Sequence, residues 1–182
     1  LSKNSVAIRF DQDVASQLQQ GDLVIRGVNT ANYTITNFSY DPATHTGVWT
    51  LSAPVTLDKL RLVLGAAGVA GLDGDWVNGA DAYPSGDGTA GGDFNFRINV
   101  LRGDATQDGR VNALDLSFVK ARLNKSATNP GTTGATYSPF ADIVSDGTIN
   151  AIDLSAARAR INNQLPPGEP AAATALLFSS RP

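Results

Sequence analysis

The chain has 182 residues, with 14 lysines and arginines set against 17 aspartates and glutamates, a formal charge of −3. So even a balance carries no electrostatic footprint for nucleic acid or an anionic membrane, and no apolar run reaches the ~18–20 residues that span a bilayer. The absence of cysteine excludes disulfides, thiolate zinc sites and cysteine nucleophiles. The length suits one large domain or two small ones. A chain that opens on Leu1 and holds no methionine reads as a piece of a longer protein.

From residue 1 to residue 101 the hydrophobic pattern has period two. Val6–Phe10, Leu23–Ile25, Tyr33–Thr36, Val48–Leu51, Leu60–Leu64 and Phe94–Val100 read as short strands, separated by turn-rich segments such as Gln20–Asp22 and Asp41–Gly47. Roughly six or seven strands in about 100 residues predict an antiparallel β-sandwich. The segment resembles the bacterial immunoglobulin-like domains that serve as spacers in surface proteins. A long glycine-rich loop over residues 66–93 carries Asp73, Asp75, Asp81, Asp87 and Asp93. The favoured reading is that these aspartates make local turns, the alternative being a further calcium site. Trp76 and Tyr83 are read as cover for an open sandwich edge rather than as a ligand platform.

The period changes at Gly103. Residues 112–124 (NALDLSFVKARLN) and 150–162 (NAIDLSAARARIN) align at an offset of 38 and share eight residues, which marks a duplicated unit. Each copy follows a twelve-residue stretch, DATQDGRVNALD and DIVSDGTINAID. Oxygen-bearing residues at places one, three, five, nine and twelve with glycine at place six are the spacing of a calcium loop. In the first loop the candidate ligands are Asp104, Thr106, Asp108, Asn112 and Asp115, with Arg110 giving its carbonyl. In the second they are Asp142, Asp146, Thr148, Asn150 and Asp153; Val144 brings no oxygen to the third place, which predicts weaker binding or an occasionally empty site there. Two calcium sites are therefore expected. Asn112 and Asn150 suit the caps of the helices that follow, and at ~12 residues those helices are too short to persist without metal.

Only an exiting helix follows each loop, since the first loop is entered from the strand Phe94–Val100. GDATQDGRVNALDLSFVKARL and ADIVSDGTINAIDLSAARARI, separated by a linker over 125–139, together resemble a type I-like dockerin across Gly103–Gln164. Aspartate rather than glutamate at the twelfth place, Asp115 and Asp153, agrees with that family. The resemblance implies a calcium-folded module that docks onto a cohesin domain and joins a protein to an extracellular or cell-surface assembly. Its contact positions map onto Ala113, Leu114, Lys120 and Ala121 in the first copy and onto Ala151, Ile152, Arg158 and Ala159 in the second. Ala-Leu and Ala-Ile, where many dockerins carry hydroxyls, predict a more apolar contact, and the matching of the two faces allows two orientations of the partner.

The expected layout is an immunoglobulin-like β-sandwich over 1–101, a small all-α dockerin module of two loop-helix repeats over 102–165, and a Pro/Ala-rich tail over 166–182. The leading functional reading is a calcium-dependent, cohesin-binding interaction module on a secreted or surface protein. One alternative is a structural subunit of an extracellular fibre or surface layer that binds other copies of itself. Another is the carbohydrate-binding end of a larger enzyme that degrades polysaccharide. No serine has a plausible base and His45 lies in a turn, so no catalytic role is expected. The tripeptide Arg102-Gly103-Asp104 is read as chance because Asp104 belongs to the first loop. Leu176, Leu177 and Phe178 are candidates to pack back onto the dockerin-like module or onto another copy, the alternative being a disordered tail.

Overall fold

Six strands and two α-helices make up the computed structural model, which describes residues 3–76 and 85–171. The strands are β1 (Lys3–Arg9), β2 (Leu23–Gly27), β3 (Ile35–Asp41), β4 (Thr46–Val55), β5 (Leu57–Leu64) and β6 (Phe94–Leu101). They form two three-stranded sheets, ordered β1-β4-β3 and β2-β5-β6. Antiparallel registers place Leu23 opposite Leu64 in one sheet and Phe38 opposite Trp49 in the other. Along the start of β2 and β4 burial alternates, with Leu23 and Ile25, then Trp49 and Leu51, turned inward and Val24 and Val48 on the half-buried face.

All six strands are longer than the sequence pattern suggests, β3 and β4 most clearly. β3 starts at Ile35 rather than Tyr33 and runs on to Asp41, and β4 runs on to Val55, because backbone pairing is made by residues of any type and need not stop where the apolar alternation stops. The turn between them is consequently tight. The Asp41 carboxylate accepts from the Ala43 amide at 3.0 Å and the Thr44 hydroxyl at 2.7 Å, and His45 adopts φ +52. Gln20–Asp22, expected as a turn, is a single 3-10 turn.

The helices α1 (Ala113–Lys120) and α2 (Ala151–Arg158) are eight residues each, shorter than the expected twelve. Beyond Lys120 the bonds tighten to i→i+3, from the Arg122 amide to Val119 and from the Leu123 amide to Lys120. Asn124 then turns left-handed at φ +66, and Asn162, 38 residues on, does the same at φ +74.

Two compact units result, one comprising Pro54–Asp58 with Asn99–Pro166 and the other Asn4–Ala53 with Lys59–Ile98 and the described residues after Pro166. The first is built round Ala105, Val119, Ala141, Ile143, Ile149 and Ala157, all buried, and α1 packs against α2. In the second, Trp49 is wholly buried with its ring 4.8 Å from that of Phe38. Truncating it as Trp49→Ala removes the largest fully buried side chain. We expect a loss of about 3–5 kcal/mol in unfolding free energy by urea titration, with helix content unchanged at denaturant concentrations that leave the chain folded.

Candidate metal centre and exposed helical face

Each loop closes onto its helix through one buried carboxylate. Asn112 caps α1 by accepting from the Leu114 amide at 2.7 Å, while Asp115 accepts from the Asn112 amide at 2.8 Å. The other Asp115 oxygen accepts from the Thr106 amide at 2.9 Å and the Thr106 hydroxyl at 2.8 Å. Asn150 and Asp153 repeat the arrangement on α2, with Asp153 accepting from Val144 and Asn150 amides at 3.0 and 2.9 Å. Both aspartates are 0% exposed. Capping and loop closure are thus one hydrogen-bonded unit in each repeat.

At the far end of each loop the first aspartate gathers the turn. Asp104 accepts from the amides of Asp108 and Gly109 at 3.1 and 2.8 Å, and Asp142 from those of Asp146 and Gly147 at the same distances. Gly109 and Gly147 have φ +84 and +86, a conformation that a Cβ would strain. Gln107 and Ser145 also turn left-handed, at φ +64 and +63, a pair that sequence reading missed and that their shared offset of 38 would have flagged.

The loops differ in what they converge. Asp104, Asp108 and Asp115 each present a carboxylate oxygen within 4.8 Å of the others, and this is the one group of three acidic or histidine ligands found among the described residues. Asn112 adds a fourth side chain, its amide donating to Asp108 at 3.3 Å. An all-oxygen set with three carboxylates suits a hard cation such as calcium. Asp142, Asp146 and Asp153 do not form such a group, and the Tyr137 hydroxyl donates to Asp142 at 2.8 Å. The Asp104 carboxyl is pushed above the usual range, first by burial and also by the charges of Asp115 and Asp108, against the opposing pull of two backbone N–H bonds. A carboxyl raised in this way favours the fold while protonated. The metal-free chain therefore loses that contribution as pH rises through the Asp104 range, whereas a cation, which needs the carboxylate, is lost as pH falls through it.

The seventh place of each loop lies in a short antiparallel ladder with the segment that leaves the other helix. Arg110 pairs with Gln164, and Thr148 with Ser126. Around the first, the Val111 amide donates to Asn163, Asn162 to Val111 and Leu165 to Gly109; around the second, Asn124 donates to Ile149, Ile149 to Lys125 and Ala127 to Gly147. Arg102 donates to the Ile143 carbonyl, so the Arg-Gly-Asp tripeptide is built into the loop framework.

All eight expected contact residues are exposed: Ala113, Leu114, Lys120, Ala121, Ala151, Ile152, Arg158 and Ala159. Leu114 is 63% exposed and Ile152 61%, and with Phe140 and Ile161 they are the exposed large hydrophobic residues among those described. Ser117 and Ser155, not singled out from the sequence, share the same helical faces. In the 66–93 loop, Asp73 accepts from the Asp87 and Gly88 amides, Asp87 from Thr89 and Asp93 from Ala66. Trp76 packs on Phe94 and Phe96 of β6, while Asp81 and Tyr83 lie outside the described residues.

Two substitutions separate the loops. Asp108→Ala removes one converging carboxylate while leaving the cap, and should weaken the tighter calcium-binding event in calorimetric titration by tenfold or more, about 1.4 kcal/mol per decade. Val144→Asp supplies the missing oxygen and should strengthen the weaker event by a similar factor.

Residues 102–162 match the family model described as dockerin type I domain. No curated protein matches the chain. Among the solved structures that align with it are two of a type II cohesin–X–dockerin complex from Acetivibrio cellulolyticus, one a C-terminal and one an N-terminal interface mutant. They are 12% and 15% identical, each alignment covering 89% of this chain and 97% of the other, with TM-scores of 0.30 and 0.29, a likeness too slight to support any conclusion. No described helix is long and apolar enough to cross a membrane. The match, the duplicated capped loops and the acidic centre agree: residues 102–162 are a type I dockerin domain, of a family whose members bind calcium.

Proposed function

We propose that this chain is a calcium-dependent attachment module that binds a cohesin-like domain through the exposed faces of α1 and α2. The observation that carries the reading is the exposure of Leu114 and Ile152 at equivalent helix starts, in a segment that matches the dockerin type I family. Large apolar side chains left in water at repeat-related positions mark a docking surface, and Lys120 and Arg158 give each patch a basic margin. The two sheets serve as an immunoglobulin-like spacer, and the parent protein is secreted or held at a cell surface. The chain has no catalytic role of its own in this reading.

Calcium in the first loop is held by Asp104, Thr106, Asp108, Asn112 and Asp115 with the Arg110 carbonyl. A second, weaker site uses Asp142, Asp146, Asn150 and Asp153 with the Thr148 carbonyl. Bound calcium offsets carboxylate repulsion and fixes the loops, and thereby the angle at which each helix presents its face.

Binding to a panel of type I and type II cohesin domains, with calcium and with chelator, tests the reading. If either face can dock, Leu114→Asp or Ile152→Asp alone should weaken binding by about twofold, the statistical factor for losing one of two equivalent modes, and the double variant should abolish it. Failure of every cohesin, together with calcium-driven assembly in sizing, would replace this reading with the fibre-subunit one. Chelation should also lower helical circular dichroism as the module unfolds, and added calcium should restore it.

A further inference from the structure

We propose that Tyr137, in the linker between the two repeats, is a positioning residue for the second calcium loop: its hydroxyl orients Asp142 and partly offsets the oxygen that Val144 lacks. The hydroxyl donates to Asp142 Oδ2 at 2.8 Å. The same oxygen accepts from the Gly147 amide at 2.8 Å, and Oδ1 accepts from the Asp146 amide at 3.1 Å. Three donors therefore meet on a carboxylate that is 2% exposed. A hydrogen bond from a hydroxyl to a carboxylate, screened from water, is stronger than one between neutral groups. Oδ1, with one donor, keeps the more capacity to bind a cation. The frame of the second loop is otherwise that of the first. Asp142 gathers its turn at the distances Asp104 does, and Asp153 ties the third place to the cap at 3.0 and 2.9 Å. What it lacks is side-chain oxygen, since Val144 stands where the first loop has Thr106 and its three aspartates do not converge.

The linker delivers Tyr137 because it is tied to the second loop at both ends. At its start the Lys125 carbonyl accepts from the Ile149 amide at 2.8 Å, and the Ala127 amide donates to Gly147 at 2.9 Å. Within it the Asn129 amide donates to the Ser126 hydroxyl at 3.0 Å, and the Tyr137 amide donates to the Pro130 carbonyl at 2.8 Å. At its end the Asp142 amide donates to Ser138 at 3.3 Å, and Tyr137 packs against the buried cluster that holds Ala141, Ile143 and Ile149. The backbone and the ring are thus both fixed, so the hydroxyl is aimed before any ion arrives. The first loop is built differently. The residue 38 places before Tyr137 is Asn99, a member of β6, and Asp104 accepts from two backbone amides. Outer partners that orient a ligating carboxylate are worth about 10–100-fold in metal affinity, and here that gain falls on one site of the two.

The inference rests on calcium binding at the second loop and not on docking to a cohesin. Calorimetric titration of the full chain with calcium, native and Tyr137→Phe, tests it, with near-ultraviolet circular dichroism followed through the same titration. The variant keeps the ring and its packing and removes the hydroxyl alone. It should weaken the weaker binding event by at least about tenfold and leave the tighter one within about twofold. In the native chain the tyrosine signal should change with the weaker event, and that change should be missing from the variant, which assigns it to Tyr137. Adding Val144→Asp to Tyr137→Phe should recover the weaker event by supplying an oxygen. An unchanged weaker event would overturn the proposal, and so would an equal loss at both events, which marks a purely structural role. A single event in the native chain would instead remove the second calcium site, and this proposal with it.

Discussion

Two carboxylates buried out of reach of water, Asp115 and Asp153, set the terms on which the dockerin domain exists. An isolated carboxylate in such a place is costly, and each is admitted because backbone N–H groups converge on both of its oxygens. Those donors come from two places, the cap of the helix and the third residue of the loop. A helix of eight residues has too few internal bonds to stand alone, and a loop with converging negative charges opposes its own closure. Because one side chain joins the two, neither forms without the other, and a cation in the loop stabilises both at once.

The same geometry decides what faces outward. With the third helical residue turned in as cap and loop anchor, the first two helical residues are turned out. Ala113-Leu114 and Ala151-Ile152 occupy those positions, so the exposure of Leu114 and Ile152 follows from the burial of Asp115 and Asp153. The exposed apolar patch is therefore registered to the acidic loop by a shift of one residue along the helix.

Much of this was legible in the sequence. The duplication, the ligand spacing, the glycines and the asparagine caps are local devices that each need a particular residue type, and period-two alternation located five of the six strands, meeting β3 only at Ile35 and Thr36. The strands' ends and the order of the sheets were not legible, because pairing of β1 with β4 and of β5 with β6 joins segments far apart in the chain. Helix length was overestimated because the apolar pattern continues through Leu123 and Ile161 in tightened turns that keep nearly the helical spacing. The ladders at Arg110 and Thr148 left no trace, since backbone bonds are made by residues of any type. The divergence of the two loops was visible at Val144. The hydroxyl of Tyr137 on Asp142 was not, since it comes from the linker.

The ladder between Arg110 and Gln164 places the segment entering the domain beside the segment leaving it. Gly103 lies against the Arg160 side chain, and the strand partners on either side of Arg110 are the last residues before Pro166. A pull applied between the preceding sheet and whatever follows Leu165 is carried across a few backbone hydrogen bonds at the rim of the first loop, and it bypasses both helices and the second loop. The first loop therefore lies on the path of that load, and a cation held by Asp104, Asp108 and Asp115 would stiffen it while the helical faces stand aside.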